Sequence, residues 1–309
     1  MPDRIGLLVA MSPEITFWNP YRSAYEVEQV YGEKWLRFSY ENLLGSVGLW
    51  AMVQRKWFSD WYGKQMDLPK SKSKILPFIT KYGLKEEEFL NHPESFGTFN
   101  EFFYRKLKPS SRPIDSAPDG LIFPADGRHL LLPDVSKVSS IYAKGQSFDL
   151  MSLLGCKKLA GLYSNGSILI SRLCPVDYHR FHFPVDGELS KTNLINGSLF
   201  SVSPIALRQK ISIFWENKRY LSTLVHPRIG KISQILIGAT CVGSVHLTND
   251  GPSMVKKGEE YGYFSFGGSC VMTIFPSKKV AFRSELIKQS SQGFESYFKF
   301  GDHLGKIAD

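Results

Sequence analysis

The segment Gly267-Gly268-Ser269 could carry out chemistry on the chain itself, because it sets a serine hydroxyl beside an unhindered glycine carbonyl. That geometry suits an attack of the Ser269 hydroxyl on the peptide bond between Gly268 and Ser269. The segment lies in an apolar, β-prone run, residues 261 to 276, where small residues often mark only a bulge or a close backbone contact. It therefore becomes a candidate site only if other segments supply an acid and a base.

Two upstream segments contain such groups. Asp126 lies in a Pro-Ala-Asp-Gly turn, and His179 and His182 lie in the segment 177–184. Together with Ser269 they are the parts of a Ser/His/Asp constellation, in which the carboxylate orients a histidine and the histidine takes the serine proton. On its own, Asp126 would more often be an ordinary turn residue before glycine.

The two histidines predict two separate roles. They are three residues apart beside Pro184, so an extended backbone would direct the rings to opposite faces. The sequence has no HExxH and no Cys/His cluster of zinc spacing, so we expect no metal. A conventional serine hydrolase is also disfavoured, because Val271 stands where a G-x-S-x-G elbow has its second glycine.

The elements that position these residues are predicted to be helices first and strands afterwards. Apolar residues recur at three- and four-residue spacings from about residue 27 to 106, and prolines and serines end this pattern at 108–115. Within it, 69–74 is predicted to be a polar linker and 75–82, 85–90 and 99–107 helical. A short helix at 146–154 is predicted, and β-runs at 122–124, 130–133, 168–173, 211–215, 220–225, 235–245 and 261–275. The pattern predicts an α+β fold with a helical N-terminal region, residues 1–115, packed on a mainly antiparallel β core, residues 116–309.

The charge balance favours an anionic partner. The 309 residues carry a formal net charge of +9, and aromatic residues make up 14% of them. No nucleic-acid-binding motif is present, so we expect no nucleic acid and favour an anionic membrane surface. The tryptophans and basic residues of segment 50–64 are typical of an interfacial helix, although a core helix with solvated charges has the same pattern. No window approaches 18 uncharged apolar residues, which predicts a chain that lies on a membrane without crossing it.

From about Tyr21 to Gly305 the sequence resembles the phosphatidylserine decarboxylase family, the pyruvoyl-dependent enzymes of prokaryotic type. The most specific blocks are Asp177-Tyr-His-Arg-Phe-His-Phe-Pro and the run from Lys257 through Gly267-Gly268-Ser269. Further blocks follow in the expected order at 30–38, 98–114, 124–127 and 195–202. Cys270 departs from the family, whose members usually have Ser or Thr after the processed serine, and we expect processing to survive this change.

The resemblance implies the role of each candidate residue. Asp126, His182 and Ser269 fall where the family has its self-cleavage triad, and His179 falls on the histidine implicated in decarboxylation. The bond between Gly268 and Ser269 corresponds to the processing site. Cleavage there would give chains 1–268 and 269–309, with Ser269 converted to a covalent pyruvoyl group as the cofactor. The implied fold is a helical region on a barrel-like β core.

The implied activity is the decarboxylation of phosphatidylserine to phosphatidylethanolamine. The implied setting is a peripheral enzyme, often a homodimer, on the cytoplasmic face of a bacterial cell membrane. Three alternatives stay open at this point. A pyruvoyl decarboxylase of a soluble amino acid would share the Ser269 chemistry without needing the aromatic and basic helices. An unprocessed lipid-binding relative, or a serine hydrolase, would keep the chain whole.

Overall fold

The computed structural model describes residues 14–30, 33–41, 63–137, 148–239, 245–267 and 269–308. Its α-helices are α1 (Glu33–Glu41), α2 (Ile75–Tyr82), α3 (Phe99–Phe103), α4 (Leu150–Leu154), α5 (Lys157–Leu162), α6 (Pro204–Gln209), α7 (Ile213–Glu216) and α8 (Ser284–Ser291). The strands are β1 (Thr16–Asn19), β2 (Ala24–Val27), β3 (Gly120–Ile122), β4 (Gly127–Leu132), β5 (Ser167–Leu173), β6 (Arg180–His182), β7 (Gly187–Leu189), β8 (Asn193–Ile195), β9 (Arg219–His226), β10 (Gly230–Gly238), β11 (Val245–Leu247), β12 (Ser253–Val255), β13 (Glu260–Phe264), β14 (Ser269–Phe275), β15 (Val280–Phe282), β16 (Glu295–Phe298) and β17 (His303–Ile307).

One large sheet dominates the molecule. Its strands follow the order β12-β7-β9-β10-β14-β5-β4-β16-β1-β2, and β8 pairs beside β9. The pair β1–β16 is parallel, whereas every other pair in it is antiparallel. Two smaller sheets have the orders β11-β13-β6 and β15-β17-β3. The predicted α+β class with a mainly antiparallel core is confirmed. The barrel-like expectation is wrong, because the large sheet stays open between β12 and β2 in the described chain.

The large sheet separates two apolar layers. Successive side chains of a strand point to opposite faces, and on β14 Val271 and Phe275 enter one layer whereas Met272 and Ile274 enter the other. The first layer also receives side chains from both small sheets, and the second is covered by helices α4, α6 and α7. Each of these fully buried side chains stabilises the fold by roughly 1.5–3 kcal/mol.

A third apolar cluster joins the N-terminal helices to the end of β13. Phe78, Phe99, Phe102 and Phe103 pack there together with Phe266. Helix α3 begins at a capping residue, since the Thr98 hydroxyl accepts a hydrogen bond from the main-chain N–H of Glu101 at 3.1 Å. The connection between β13 and β14 is thus packed directly against the helical region.

Several local predictions were wrong for the same physical reason, namely that tertiary packing outweighs a short local pattern. The run 211–215 is a turn followed by α7, whose Ile213 and Phe214 are both buried against the sheet. The polar stretch Pro69–Lys74 is a 3-10 helix that leads straight into α2. In 85–90 only Glu86–Glu88 is helical, and Phe89 forms a β-bridge with Leu107.

The N-terminal region contributes to the sheet as well as to the helices, since β1 and β2 form its edge. Most of the aromatic and basic segment that predicted membrane contact, residues 50–62, lies outside the described residues. Within the described ranges, no helix has the length and apolar character needed to cross a bilayer. The domain boundary at 115/116 and the membrane contact stay predictions.

Candidate active site

Ser269 occupies the first position of a central strand. It pairs with Gly238 of β10 on one side and with Leu173 of β5 on the other, and its side chain is fully buried. Because side chains alternate, Ser269 shares its face with Val271 and points toward the layer that contains β6 and β13. Its Oγ has no hydrogen-bond partner among the described residues. A buried hydroxyl left unpaired costs about 1–3 kcal/mol, so this one is kept at an energetic penalty.

The residues before Ser269 turn sharply. Gly268 itself lies outside the described residues, and Gly267 has a φ of +137°, in a region that favours glycine. The turn is anchored by helix α3, because Asn100 Oδ1 accepts the N–H of Phe266 at 2.8 Å. The Phe266 ring packs edge-on against Phe103 at 5.0 Å. The helical region therefore fixes the chain immediately upstream of the predicted cleavage site.

His179 lies beside this turn, just before β6. Its ring is 3.9 Å from that of Phe103 and is fully buried. Nδ1 is 3.0 Å from the carbonyl oxygen of Asp177 and therefore carries the proton, which leaves the lone pair on Nε2. Nε2 has no partner in the described part of the chain. Burial, with a smaller contribution from the Arg105 charge, lowers the pKa of His179 to about 3, whereas the hydrogen bond to the Asp177 carbonyl opposes this change. The ring is thus a neutral base next to Gly267.

The loop that holds His179 is itself held by a buried ion pair. The Asp177 carboxylate accepts from Arg128 Nη1 at 2.5 and 2.6 Å and from the main-chain N–H of Cys174 at 2.7 Å. Arg128 of β4 stands directly opposite Arg172 of β5, and Glu28 bridges the two guanidinium groups. Sequence reasoning missed this network, although arginines inside apolar strands are a signal for buried partners.

His182, on β6, lies against the turn that contains Asp126. Its main-chain N–H donates to the Pro124 carbonyl at 2.8 Å. Its ring stacks on Phe300, with 3.6 Å between the centroids and 11° between the planes. Nδ1 has no hydrogen-bond partner among the residues that the structure describes. Burial, with a smaller contribution from Arg180, lowers the pKa of His182 to about 3, so this ring is also neutral.

Asp126 is buried and tightly bound. Its carboxylate accepts from Arg112 Nε at 3.0 Å and Arg112 Nη2 at 2.6 Å, and from the N–H of Phe300 at 2.8 Å. Within the described residues there is no hydrogen bond from Asp126 to His182. Phe300 connects the two instead, through its backbone on one side and its ring on the other. Gly127 is required next to Asp126, because a Cβ there would lie 2.5 Å from the carbonyl oxygen of Arg172.

Cys270 is separated from this chemistry by the sheet. Its side chain enters the second apolar layer, on the opposite face from Ser269. It stands between Ile237 and Arg172 in the strand register. Burial raises the pKa of its thiol, which stays protonated at neutral pH.

The structure therefore forms two neighbouring groups, His179 with the Gly267 turn, and His182 with Asp126. Hydrogen bonds do not join the groups to each other among the described residues. The described His, Cys, Asp and Glu side chains form no cluster of three that could hold a metal ion. What the site offers is two neutral imidazoles and an unpaired hydroxyl in a water-poor interior, the setting in which a hydroxyl can be activated by a nearby base.

Comparisons with known proteins identify relatives of this chain. Residues 99–306 match the family model described as phosphatidylserine decarboxylase, which spans all four candidate residues. The chain is 41% identical over 280 residues to a phosphatidylserine decarboxylase proenzyme of Fusobacterium nucleatum, covering 91% of this chain and 93% of that protein. It is 40% identical over 295 residues to the proenzyme of the same name from Chlamydia muridarum, covering 96% and 98%. A Clostridium tetani proenzyme of that name is 40% identical over 292 residues, covering 94% and 98%.

Proposed function

Because the chain belongs to the phosphatidylserine decarboxylase family, we propose that it converts phosphatidylserine to phosphatidylethanolamine with a pyruvoyl group made from its own Ser269. The observation that carries the proposal is the Ser269 hydroxyl, which is buried shortly after the turn at Gly267 and has no hydrogen-bond partner in the described ranges. The name proenzyme, borne by the relatives, supports a chain that is cut before it acts.

The first reaction is proposed to be self-cleavage. The Ser269 oxygen attacks the Gly268 carbonyl carbon, the C–N bond breaks, and the acyl group moves from nitrogen to oxygen as an ester. Removal of the Ser269 Cα proton then expels the Gly268 carboxylate and leaves a dehydroalanine at the new chain start. Water replaces its nitrogen, ammonia leaves, and the pyruvoyl group remains. A buried, positioned nucleophile contributes much of such a reaction's rate through proximity.

His182 is proposed to be the base that takes the Ser269 proton. Its neutral ring suits this role, because the low pKa keeps the lone pair free at physiological pH. Asp126 is proposed to fix the position of His182, and the contacts with Phe300 supply the means. The attack also requires the His182 ring to reach Ser269, directly or through one water molecule.

The surroundings of Ser269 suit the pyruvoyl group. Once formed, the group supplies an electron sink for the electron pair that remains when CO2 leaves. Phe103 and Phe266 form an apolar wall beside His179, where a carboxylate is poorly solvated and its loss as neutral CO2 is favoured. We assign His179 Nε2 as the atom that takes a proton from the substrate ammonium and returns it to the substrate carbon after CO2 leaves, since Nδ1 is occupied by the Asp177 carbonyl.

After cleavage, chains 1–268 and 269–309 are proposed to stay together. Strand β14, with which the shorter chain begins, lies between β10 and β5; it pairs with β5 along its whole length and with β10 from Ser269 to Ile274. We propose that the enzyme is a peripheral protein on the cytoplasmic face of a bacterial membrane, and that it forms a homodimer there. The net charge of +9 supports attraction to anionic lipid, at about 1 kcal/mol for each Lys or Arg near the surface.

A substrate test separates this proposal from the soluble-amino-acid alternative. Purified enzyme is given carboxyl-labelled phosphatidylserine in vesicles or carboxyl-labelled free serine, and released CO2 is measured. We expect release from the lipid, little from serine, and none from either with Ser269→Ala. Equal or faster release from free serine would contradict the assignment of a lipid substrate.

A further inference from the structure

Arg105 is a buried cation without a counter-ion in the part of the chain that the structure describes. Its residue is 4% exposed, and its Nε has no hydrogen-bond partner. The guanidinium lies between the rings of Phe89 and Phe102, 4.7 and 4.8 Å from their centroids. Its one hydrogen bond to a described residue is a long one, from Nη1 to the Phe102 carbonyl at 3.4 Å. Buried charges are ordinarily paired, so this arrangement is unusual.

Other buried arginines of the described chain have the carboxylate partner that Arg105 lacks there. Arg112 donates to Asp126 at 2.6 Å, Arg128 to Asp177 at 2.5 Å, and Arg172 to Glu295 at 2.6 Å. Each of them has a carboxylate in direct contact. Arg105 alone among these four has no ion pair with a carboxylate within the described ranges, although it is buried like the others.

Arg105 also belongs to the site by position. It follows α3, whose Phe103 ring contacts His179 at 3.9 Å. The end of α3 is held against β6, since the Tyr104 carbonyl accepts from Arg180 Nε at 2.9 Å. The Arg105 charge acts on His179 and helps to lower its pKa. The proposed self-cleavage nevertheless makes no use of this charge.

We infer that Arg105 binds the phosphodiester of the lipid headgroup while the headgroup's amine and carboxylate lie at Ser269 and His179. This inference rests on the proposed function. A guanidinium matches a phosphate with two parallel hydrogen bonds, and a desolvated cation is where such a pair is strongest.

The chemistry of the reaction selects phosphate over carboxylate as the ligand. The headgroup carries both anions, but only the carboxylate loses its charge as CO2 departs. A cation paired with the carboxylate would stabilise the substrate more than the transition state and would slow the reaction. A cation paired with the phosphate holds the substrate equally throughout, and the apolar wall of Phe103 and Phe266 is left for the carboxylate.

The test uses the complete, processed enzyme with Arg105→Met, which removes the charge and keeps much of the stem. Lys106→Met is the matched control, because Lys106 is exposed and carries the same charge one residue further on.

Two inhibitors distinguish the two anions of the headgroup: phosphoethanolamine has the phosphate and no carboxylate, and L-serine has the carboxylate and no phosphate. We expect normal cleavage for Arg105→Met, since it breaks no ion pair among the described residues, and a melting temperature within about 10 °C of the wild type, since it loses only the contacts with Phe89 and Phe102. Its KM for phosphatidylserine should rise at least about tenfold. Inhibition by phosphoethanolamine should be lost while inhibition by L-serine persists.

Other results would overturn the inference. An unchanged KM would do so, as would loss of serine inhibition alone, which would assign Arg105 to the carboxylate. Normal lipid turnover with lost binding of inorganic phosphate would indicate a free-phosphate site. If Arg105→Met does not fold, Arg105→Lys keeps the charge without the fork, and an unchanged KM in that variant would count equally against the inference. A failure of the proposed function is distinguishable, because it would leave the wild type uncut or inactive with Arg105 in place.

Discussion

Phe300 links Asp126 to His182. Its main-chain N–H donates to Asp126 Oδ1 at 2.8 Å, and its ring lies flat on the imidazole at 3.6 Å. The carboxylate is simultaneously held by Arg112 and cannot easily rotate away. Asp126 can therefore position the histidine through Phe300, without a direct hydrogen bond to the ring.

This relationship predicts that Phe300→Leu slows self-cleavage about tenfold, because the imidazole loses the surface that fixes its plane. Phe294→Leu is the control, since Phe294 is a half-buried phenylalanine that packs on Tyr25 instead. The rate at which the two chains appear is followed on freshly made protein. Cleavage of Phe300→Leu at the wild-type rate would show that the stacking has no part in positioning His182.

The different surroundings of the two histidines predict that their substitutions separate the two reactions. His182→Gln should stay uncut, because it lacks the proposed base for Ser269. His179→Gln should be cut and yet release CO2 at least about a hundredfold more slowly, since general acid–base groups contribute this much or more. Intact mass and CO2 release are measured on the same samples. A His179→Gln chain that stays whole would assign both histidines to cleavage.

Three buried histidines make the fold sensitive to acid. His129, His179 and His182 each have a pKa lowered to about 3 by burial, against 6.5 for the ordinary side chain. Between these values the unfolded chain binds protons that the folded chain does not. The free energy of unfolding therefore falls as the pH falls from about 6.5 towards 3, by up to about 4 kcal/mol per pH unit for three groups. Above pH 7 this contribution is fully present.

Urea unfolding at a series of pH values measures that slope. His129 lies away from the proposed chemistry, bonded to Ser171 and to the Phe298 carbonyl. His129→Gln should reduce the slope of the free energy of unfolding against pH by about 1.4 kcal/mol per pH unit, which is the contribution of one proton. A stability that does not change between pH 7 and pH 5 would contradict the burial of neutral rings.

Cys270 is predicted to be a packing residue. Cys270→Ser should leave the rate of self-cleavage within about threefold of the wild type, because the side chain faces away from Ser269. It should lower the free energy of unfolding by about 1–3 kcal/mol, since a hydroxyl replaces a thiol in an apolar layer. Cleavage kinetics test the predicted rate, and urea unfolding tests the predicted loss of stability. A large change in cleavage rate at unchanged stability would show that residue 270 acts on the reaction.

The sequence allowed the class of fold to be predicted, because the periodicity of helices and strands is a local signal. The run 261–275 was predicted to be β-structure, and the structure has two strands there, β13 and β14, separated by the turn at Gly267. The predicted change from helices to strands near residue 110 was only partly right, because β1 and β2 lie before it and helices α4 to α8 lie after it. The prediction of a strand at 211–215 was wrong because a short apolar stretch has no period long enough to distinguish helix from strand.

The partners of the site residues could not be predicted in the same way. Phe300 reaches Asp126 from 174 positions away, and Arg128 reaches Asp177 from 49. Such pairs are set by which strands become neighbours, and no local pattern specifies that. Arg105 carried no signal at all, because a basic residue after a helix is ordinarily solvated.

The central claim is that Ser269 cuts the chain and becomes the pyruvoyl group, and intact-mass spectrometry of the purified protein tests it most directly. Ser269→Ala is measured beside the wild type, with Ser265→Ala as a control on a nearby buried serine. The wild type and Ser265→Ala should give chains 1–268 and 269–309. The shorter chain should be lighter, by the mass of one ammonia molecule, than a chain 269–309 that begins with serine. Ser269→Ala should stay whole. A folded wild type that remains a single full-length chain would contradict the account.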